Sequence, residues 1–346
     1  MVVLLAIMLV VLPCAASGKD LQAGDEFPNF AMQEGLSGDD YTYLGLSRGL
    51  LGRGKTQLND VKAELVILQF LNKYCVLCQK EAPEFRKLHE ELEKDPAFKA
   101  KIKILGVAIG NTPKELEGFK KEYGIRFPLA ADEETTMYRQ AGSPRGSPIV
   151  YILKKKDGKW FIVDGFKGET TTQAMLDRAR IGIGMNVAEV PKKPLWSEEP
   201  VRKVTREEVV KLLGGPKAVT VTKTVPFDNG DLFVIRKGKE TLFVKSEGRK
   251  AICSVCHDTV FVYVFDREGV VRDFIPVDVT KYMNDPFTPE ELKKLKQRLV
   301  GRNILAPFKF DKDVDAVTSA TLTSILIYDS VHHGKELMEV VRKEKL

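Results

Sequence analysis

The sequence predicts an α/β unit followed by a smaller α+β unit. Length is the first reason, since 346 residues exceed the size to which one hydrophobic core usually grows. The second reason is a change of pattern, because strand and helix candidates alternate over 19–188, whereas strands dominate in 205–346. Between the two, 189–204 contains prolines and charged residues and is typical of an interdomain linker.

Short apolar runs and helical spacing define the elements of each unit. In the first unit the order is strand 65–71, helix 83–93, strand 102–109, helix 113–123, strands 149–153 and 161–163, and helix 172–181. In the second unit it is helix 205–213, strands 232–235, 241–245, 260–265 and 270–276, and helices 289–299 and 323–341. Thr205 and Glu208 have capping-box spacing, which predicts the start of the helix at 205.

Composition and charge favour a folded protein that does not bind nucleic acid. With 43% hydrophobic and 29% charged residues, the chain can bury real cores. The net charge of +6 is small, because 54 basic residues are interleaved with 48 acidic ones. The lysine runs are short and are interpreted as solvated turns, so no nucleic-acid partner is predicted.

The N-terminal residues, 1–18, are predicted to be a signal peptide or an N-terminal anchor. Val2 to Leu12 is an unbroken apolar stretch, and small residues follow Pro13. This length is typical of the apolar region of an export signal and is too short for a settled membrane span. We therefore expect an extracytoplasmic location, in the periplasm or at the outer face of the cytoplasmic membrane, with possible membrane association through the N-terminus.

Apart from Cys14 in that segment, the cysteines form two CxxC pairs, the first being Cys75 and Cys78. A strand precedes this pair and a helix follows it. Amides and the helix dipole at a helix start stabilise a thiolate, and Lys73 adds positive charge nearby. Cys75 is therefore predicted as the attacking thiolate and Cys78 as the resolving thiol. A zinc half-site and a static disulfide are the alternatives, although zinc would need two further ligands.

The run LVILQFLNKYCVLCQKEAPEFRKLHEEL, 65–92, resembles the thioredoxin-like, redoxin type of extracytoplasmic thiol-disulfide oxidoreductase. Glu81 and Pro83 match that family's pattern after the second cysteine, and Pro148 matches its cis-proline. The resemblance implies that Pro148 faces the dithiol and that the backbone before it pairs with a partner chain. Glu81 is either a proton acceptor for the resolving thiol or a solvated helix residue. Tyr74 replaces the usual Trp, which leaves the direction of electron flow open.

Small hydroxyl residues crowd the run 315–324, just before the last predicted helix. A helix start with Ser and Thr side chains suits a phosphate group, because its amides lack intrahelical partners. Simple capping of the helix is the alternative interpretation. No further metal site is predicted.

The same run resembles the flavinylation motif of FMN-binding domains. The resemblance implies that Thr321 carries FMN through a phosphoester bond and that Asp315 and Thr318 are recognised during attachment. Ser319 stands where the family usually has Gly, and Thr323 completes the predicted cofactor-binding set.

The second pair, Cys253 and Cys256, is followed by His257. The string CSVCH is the attachment sequence for haem c, with His257 as the iron ligand. The alternatives are a second cycling dithiol and a static disulfide; haem c is the less favoured prediction, because an apolar strand follows directly. Distal ligand candidates for a haem are Met283, His332 and His333.

Two redox modules on one exported chain suggest an electron path. The favoured hypothesis is a thiol-disulfide oxidoreductase dithiol coupled to an FMN electron carrier, acting on a protein disulfide or redox partner and fed by a membrane or soluble donor. One alternative is an FMN or FMN/haem c carrier in which the thioredoxin-like unit only serves for docking. The other is a non-catalytic binding protein with structural cysteine pairs.

Overall fold

The computed structural model describes residues 20–32, 35–47, 56–281, 284–306, 310–317, 320–331 and 334–344, with the side chains of 312–313 excepted. Several predicted features lie outside the described residues: the export segment 1–18, Thr318, Ser319, Met283, His332 and His333. Within the described ranges, no helix combines the length and apolar character needed to cross a membrane.

The first unit alternates strands and helices. Its elements are β1 (Gln22–Ala23), β2 (Ala31–Met32), α1 (Gly38–Leu44), β3 (Thr56–Gln57), β4 (Leu65–Leu71), α2 (Val76–Lys94), α3 (Pro96–Lys99), β5 (Ile102–Ile109), α4 (Pro113–Tyr123), β6 (Leu129–Asp132), α5 (Thr136–Gln140), β7 (Ile149–Lys156), β8 (Lys159–Lys167), α6 (Thr172–Gly184) and β9 (Lys193–Pro194).

The main sheet of this unit has the strand order β6-β5-β4-β7-β8. The strands β4, β5 and β6 are parallel, and β7 and β8 are antiparallel to their neighbours. All residues of β4 are buried, as expected for a continuous apolar run at the centre of a sheet that is covered on both faces. This order places the carboxyl end of β4 and the start of β7 at the same end of the sheet.

The predicted linker, 189–204, packs on the first unit over part of its length. The strand β9 pairs antiparallel with β1, and the Trp196 ring lies 5.5 Å from the Tyr151 ring. Glu198 forms ion pairs with Lys167 and Lys250. The connection between the units is therefore held in place by hydrogen bonds, ring packing and charge.

The second unit is an antiparallel meander with helices on both faces. Its elements are α7 (Arg206–Leu212), β10 (Thr220–Phe227), β11 (Gly230–Lys237), β12 (Glu240–Arg249), β13 (Thr259–Phe265), β14 (Val271–Asp278), α8 (Pro289–Leu299), α9 (Lys312–Asp315), α10 (Thr321–Val331) and α11 (Gly334–Lys343). The strand order is β10-β11-β12-β13-β14. The helices α8, α10 and α11 cover one face, and α7 covers the other.

The two units share part of one core. Ile252 and Leu326 belong to the second unit, yet they are buried in the cluster on one face of the first sheet. Asp329 on α10 forms ion pairs with Arg139 of the first unit and Arg249 of the second. The second unit is therefore anchored to the first by apolar burial and by a largely buried charge cluster.

Most predicted elements are confirmed, and the differences concern one helix start and several short or polar elements. The helix predicted from 83 begins at Val76, because the thiol of Cys75 caps it and Pro83 lies inside the helix. Several strands were not predicted: β1, β2, β3 and β9 have two residues each, β6 is short, and β10 carries mostly polar or exposed residues with no apolar run. The short helices α1, α3, α5 and α9 were not predicted either. The helix predicted over 323–341 is confirmed in its described parts, α10 (Thr321–Val331) and α11 (Gly334–Lys343).

Candidate active site

Cys75 stands where β4 ends and α2 begins. It is the N-cap residue of α2, and its sulfur accepts a hydrogen bond from the Cys78 amide at 3.4 Å. Both thiols are about 2% exposed. An N-terminal position aims the free amides and the positive end of the helix dipole at the leading sulfur.

A buried asparagine, Asn72, shapes the turn that carries the first thiol. Its side-chain nitrogen donates to the carbonyl of Ile109 at the end of the neighbouring strand, at 2.6 Å, and its side-chain oxygen accepts from the Tyr74 amide at 2.7 Å. Its backbone carbonyl accepts from the Cys75 amide at 3.0 Å. The position of Cys75 is therefore tied to two adjacent strands.

The pKa values of the two thiols are shifted in opposite directions. The pKa of Cys75 is lowered to about 6, mainly by the hydrogen bond that the Cys78 side chain donates to it, which together with further hydrogen bonds outweighs burial. Burial, and then the neighbouring Cys75, raise the pKa of Cys78 well above its ordinary value. Lys73, expected to support the thiolate, has its ammonium 4.0 Å from the Glu115 carboxylate instead. The lowered pKa places more of Cys75 than of Cys78 in the nucleophilic thiolate form near neutral pH.

Glu81 is a buried residue of α2, 1% exposed, and is not the solvated helix residue considered as an alternative. Its carboxylate accepts a hydrogen bond from the Gln69 side chain at 3.3 Å. Desolvation raises its pKa to about 8, with a smaller contribution from the charge of Cys75. A carboxyl group with this pKa can exchange a proton near neutral pH.

Pro148 follows a cis peptide bond and immediately precedes β7. The carbonyl of Ser147 accepts a hydrogen bond from the Cys75 thiol at 3.2 Å. Pro148, which was matched by sequence, therefore lies beside the dithiol. The carbonyl of the residue before it accepts the hydrogen bond of the Cys75 thiol.

The second CxxC pair lies against this same backbone. The Gly146 amide donates to the Ala251 carbonyl at 2.7 Å, and the Ser254 hydroxyl donates to the carbonyl of Ser147. Gly146 has φ +83°, and a Cβ there would lie 3.4 Å from the Cβ of Ser254. Cys253, between Ala251 and Ser254, is 3% exposed. The loop 251–258 thus occupies the surface beside the first dithiol.

Arg145 and Asp258 hold the other end of this loop. The guanidinium Nε lies 2.9 Å from Asp258 Oδ1, and a second contact joins the remaining nitrogen and oxygen atoms. Asp258 Oδ1 also accepts a hydrogen bond from the Ala251 amide at 3.0 Å, which closes the loop on itself. Neither residue was predicted, since 113 positions separate them and neither belongs to a motif.

The second pair also has one acidic thiol. The pKa of Cys253 is lowered, first by a hydrogen bond from the Cys256 side chain, while burial and the charge of Cys75 oppose the effect. Cys256 is partly exposed, and His257 is exposed. Covalent haem would need both cysteines on one accessible side, but Cys253 is buried against the first unit. The observed packing therefore does not fit haem c.

The described part of the predicted flavin segment lies at the start of α10. Thr321, the first residue of the helix, is partly exposed, and the Thr323 hydroxyl donates to the carbonyl of Thr280 at 2.8 Å. Asp315 is 4% exposed; one carboxylate oxygen accepts from the Asp311 amide at 2.9 Å, and the other has no hydrogen-bond partner among the described residues.

The helix α10 also reaches the end of the first sheet that carries the dithiol. A Cβ on Gly110, the residue after β5, would lie 2.5 Å from the Ile325 side chain. The next residue, Asn111, accepts a hydrogen bond from the Lys73 amide at 3.0 Å. The structure thus brings Cys75, Glu81, Pro148 and the 251–258 loop to one end of the first sheet, with α10 adjacent to that end.

The strand order of the first sheet, the cis-proline and the dithiol at the start of α2 are together typical of the thioredoxin-like fold. Residues 23–163 match the model of the AhpC/TSA family. The first unit is a thioredoxin-like redoxin domain.

Several known proteins are similar to about half of this chain. Thiol-disulfide oxidoreductase ResA of Bacillus cereus is 28% identical over 174 residues, 50% of this chain and 91% of that protein. ResA of Bacillus subtilis (strain 168) is 23% identical over 180 residues, 49% of this chain and 86% of that protein. A solved thiol:disulfide interchange protein DsbE from Chlorobium tepidum is 18% identical, covers 47% of this chain and 99% of its own, and has a TM-score of 0.36.

The unequal acidity of Cys75 and Cys78 predicts a two-step titration in the redoxin domain. In a full chain with Cys14, Cys253 and Cys256 replaced by Ser, we expect thiolate absorbance to rise by one equivalent with a midpoint near the pKa of about 6. Adding Cys78→Ala removes the main hydrogen-bond donor, so the midpoint should move up towards the ordinary value of about 8.5. Two thiols that titrate together at alkaline pH would contradict the assignment.

Proposed function

We propose that the chain is a thiol-disulfide oxidoreductase whose reactive group is the Cys75 thiolate. The main support is the asymmetry of the pair: Cys75 caps α2 and has a pKa of about 6, whereas Cys78 is buried with a raised pKa. The names of the similar ResA proteins agree with this class of reaction.

The reaction proceeds by two exchanges that balance. The Cys75 thiolate attacks one sulfur of a partner disulfide, forms a mixed disulfide and releases the other partner sulfur as a thiolate. Cys78 then loses its proton and attacks the Cys75 sulfur, which closes the Cys75–Cys78 disulfide and releases the second partner thiolate. The partner gains two electrons from the chain and two protons, one that Cys78 gives up and one from the solvent, which received the proton of Cys75 when that thiol ionised. The reverse sequence oxidises a partner dithiol.

Glu81 is proposed as the proton acceptor for Cys78. The buried thiol has a raised pKa and needs a base in order to react, and Glu81 is a buried carboxyl one helical turn further along α2. Its raised pKa of about 8 allows it to hold a proton at neutral pH and to release it during the reverse reaction.

We further propose that the second unit binds FMN at the start of α10. Thr321 would hold the phosphate, since its partly exposed position at the helix start suits an anion. The buried, partly unpartnered carboxylate of Asp315 fits a polar group close by. When bound, FMN supplies one-electron and two-electron chemistry. Its place beside the dithiol end of the first sheet supports an electron path between the units.

The proposed setting is extracytoplasmic, which rests on the apolar N-terminal run 2–12 and on cysteine pairs that can cycle outside the reducing cytosol. The proposed partners are a protein disulfide and a membrane or soluble electron donor. A carrier role in which the redoxin domain only docks is less well supported, because a docking surface needs no acidic thiol.

Loss of the first thiol tests the proposed function. Cys75→Ser should abolish reduction of insulin disulfides, because Ser is not ionised near neutral pH. Cys78→Ser should retain attack but not resolution, and should accumulate a mixed disulfide that non-reducing electrophoresis detects. Val76→Ala, at a half-exposed position between the cysteines, is the matched control and should keep activity. Equal activity of Cys75→Ser and wild type would overturn the proposal.

Replacement of Glu81 should change how resolution depends on pH. A carboxylate base acts in its ionised form, so release of a trapped partner by the wild type should accelerate as pH rises through the Glu81 pKa of about 8. In Glu81→Gln we expect this rise to disappear and the rate at alkaline pH to fall by about 10²-fold. Glu90→Gln on the same helix is half-exposed and should behave as wild type. An unchanged pH profile in Glu81→Gln would remove this residue from the mechanism.

Intact-mass analysis tests the flavin proposal. When the chain is expressed with a flavin transferase, Thr321→Val should lose the mass of one FMN, because no hydroxyl remains to form the phosphoester. Thr323→Val is the control for a lost helix-start hydroxyl, since that group donates to Thr280, and it should keep the FMN. Retention of covalent FMN by Thr321→Val, or its absence from the wild type, would rule out Thr321 as the attachment site.

A further inference from the structure

We propose that the Cys253–Cys256 pair is an intramolecular exchange partner of the Cys75–Cys78 pair, and that Cys253 is the residue that joins Cys75 in the mixed disulfide. The proposal rests on the dithiol chemistry proposed above and identifies a substrate for it, namely a loop of the same chain.

The first argument is the place where the loop docks. The resemblance to thiol-disulfide oxidoreductases implies that a partner chain pairs with the backbone that precedes Pro148. Here that backbone is already paired within the chain: the Gly146 amide donates to the Ala251 carbonyl, and the Ser147 carbonyl accepts from the Ser254 hydroxyl. In the sequence, Cys253 lies between Ala251 and Ser254, the two loop residues that make these contacts.

The second argument is convergence on a single atom. The Ser147 carbonyl oxygen accepts hydrogen bonds from both the Cys75 thiol and the Ser254 hydroxyl. Because a carbonyl oxygen has two lone pairs, both donors can bind it at once. The Cys75 thiol and the hydroxyl of Ser254, the residue after Cys253, therefore bind the same carbonyl oxygen.

The third argument distinguishes the two cysteines of the loop. Cys253 is buried against the redoxin domain and experiences the charge of Cys75, whereas Cys256 is partly exposed. Attack on the inner sulfur would leave Cys256 as the outgoing thiolate on the solvent side. The geometry thus favours a Cys75–Cys253 bond over a Cys75–Cys256 bond.

The exchange balances within the chain. When the second pair is a disulfide, the Cys75 thiolate attacks the Cys253 sulfur, the Cys253–Cys256 bond breaks and Cys256 takes up a proton. Cys78 then gives up its proton and attacks Cys75, which releases Cys253 as a thiolate that is protonated in turn. Two electrons pass from the first pair to the second. Of the two protons taken up, one is given up by Cys78 and the other comes from the solvent, which received the proton of Cys75 when it ionised; the reverse steps restore the starting state.

The loop is fixed before any reaction. The Arg145–Asp258 ion pair and the burial of Ile252 in the redoxin core hold both ends of it. An intramolecular partner in a fixed position reacts with a high effective concentration and a rate that does not depend on protein concentration.

Cross-linking in paired variants tests the proposal. In full chains carrying Cys14→Ser, Cys78→Ser plus Cys256→Ser leaves Cys75 and Cys253, whereas Cys78→Ser plus Cys253→Ser leaves Cys75 and Cys256. On mild oxidation of dilute protein, we expect the first variant to form a monomeric product linking tryptic peptides 74–80 and 251–267, at least about tenfold faster than the control. No such link, or equal rates in the two variants, would overturn the proposal.

Two further measurements separate the possible failures. If Cys75 reacts with Ellman's reagent in both variants but no link to Cys253 forms, the intramolecular exchange is refuted and the proposed oxidoreductase stands. If Cys75 is inert in both, the proposed function fails as well. In a chain that keeps all its cysteines, Ser254→Ala removes the hydrogen bond to Ser147 and should slow the first-order exchange between the two pairs by about threefold or more. An unchanged rate would count against the docked geometry.

Discussion

The carbonyl oxygen of Ser147 is the atom on which the active site depends. It belongs to the residue before Pro148, which immediately precedes β7, and it accepts hydrogen bonds from Cys75 and from Ser254. One donor belongs to the reactive dithiol and the other to the loop of the second unit. Any change in the position of this oxygen would therefore alter the environment of the thiolate and the docking of the loop together, which couples the chemistry of the first unit to the placement of the second.

The buried ion pairs of Asp329 favour one orientation of the second unit on the first. The carboxylate is about 5% exposed and lies between Arg139 of the redoxin domain and Arg249 of the second sheet. A buried ion pair is weak evidence for stability, because desolvation offsets the Coulomb attraction. Loss of one partner would still leave a charge buried without full compensation, so other docking orientations are disfavoured. Leu326, one turn earlier on the same helix, adds apolar burial in the redoxin core.

The sequence was most informative where the chemistry is local. The dithiol, Glu81 and Pro148 could be identified from spacing and family resemblance, and the strands at 65–71 and 102–109 from continuous apolar runs. The start of α2 was missed because a cysteine thiol is an unusual N-cap and Pro83 is typical of a first helical turn. Contacts between the units could not be foreseen: Arg145 and Asp258 are 113 positions apart, and nothing in either local sequence indicates the partner.

A docked loop changes what an external partner must overcome. The loop that carries Cys253 is docked on the backbone that accepts the Cys75 hydrogen bond, so in the proposed exchange a protein disulfide in solution competes with a group present at high effective concentration. Cys75 and Cys253 also share a lowered pKa. A low-pKa thiolate is a weaker nucleophile but a better leaving group, so a bond between two such sulfurs breaks readily in either direction. In the proposed exchange, the net flow of electrons is then set by the reduction potentials of the two pairs and by whichever external donor or acceptor reaches Cys256 or displaces the loop from Ser147.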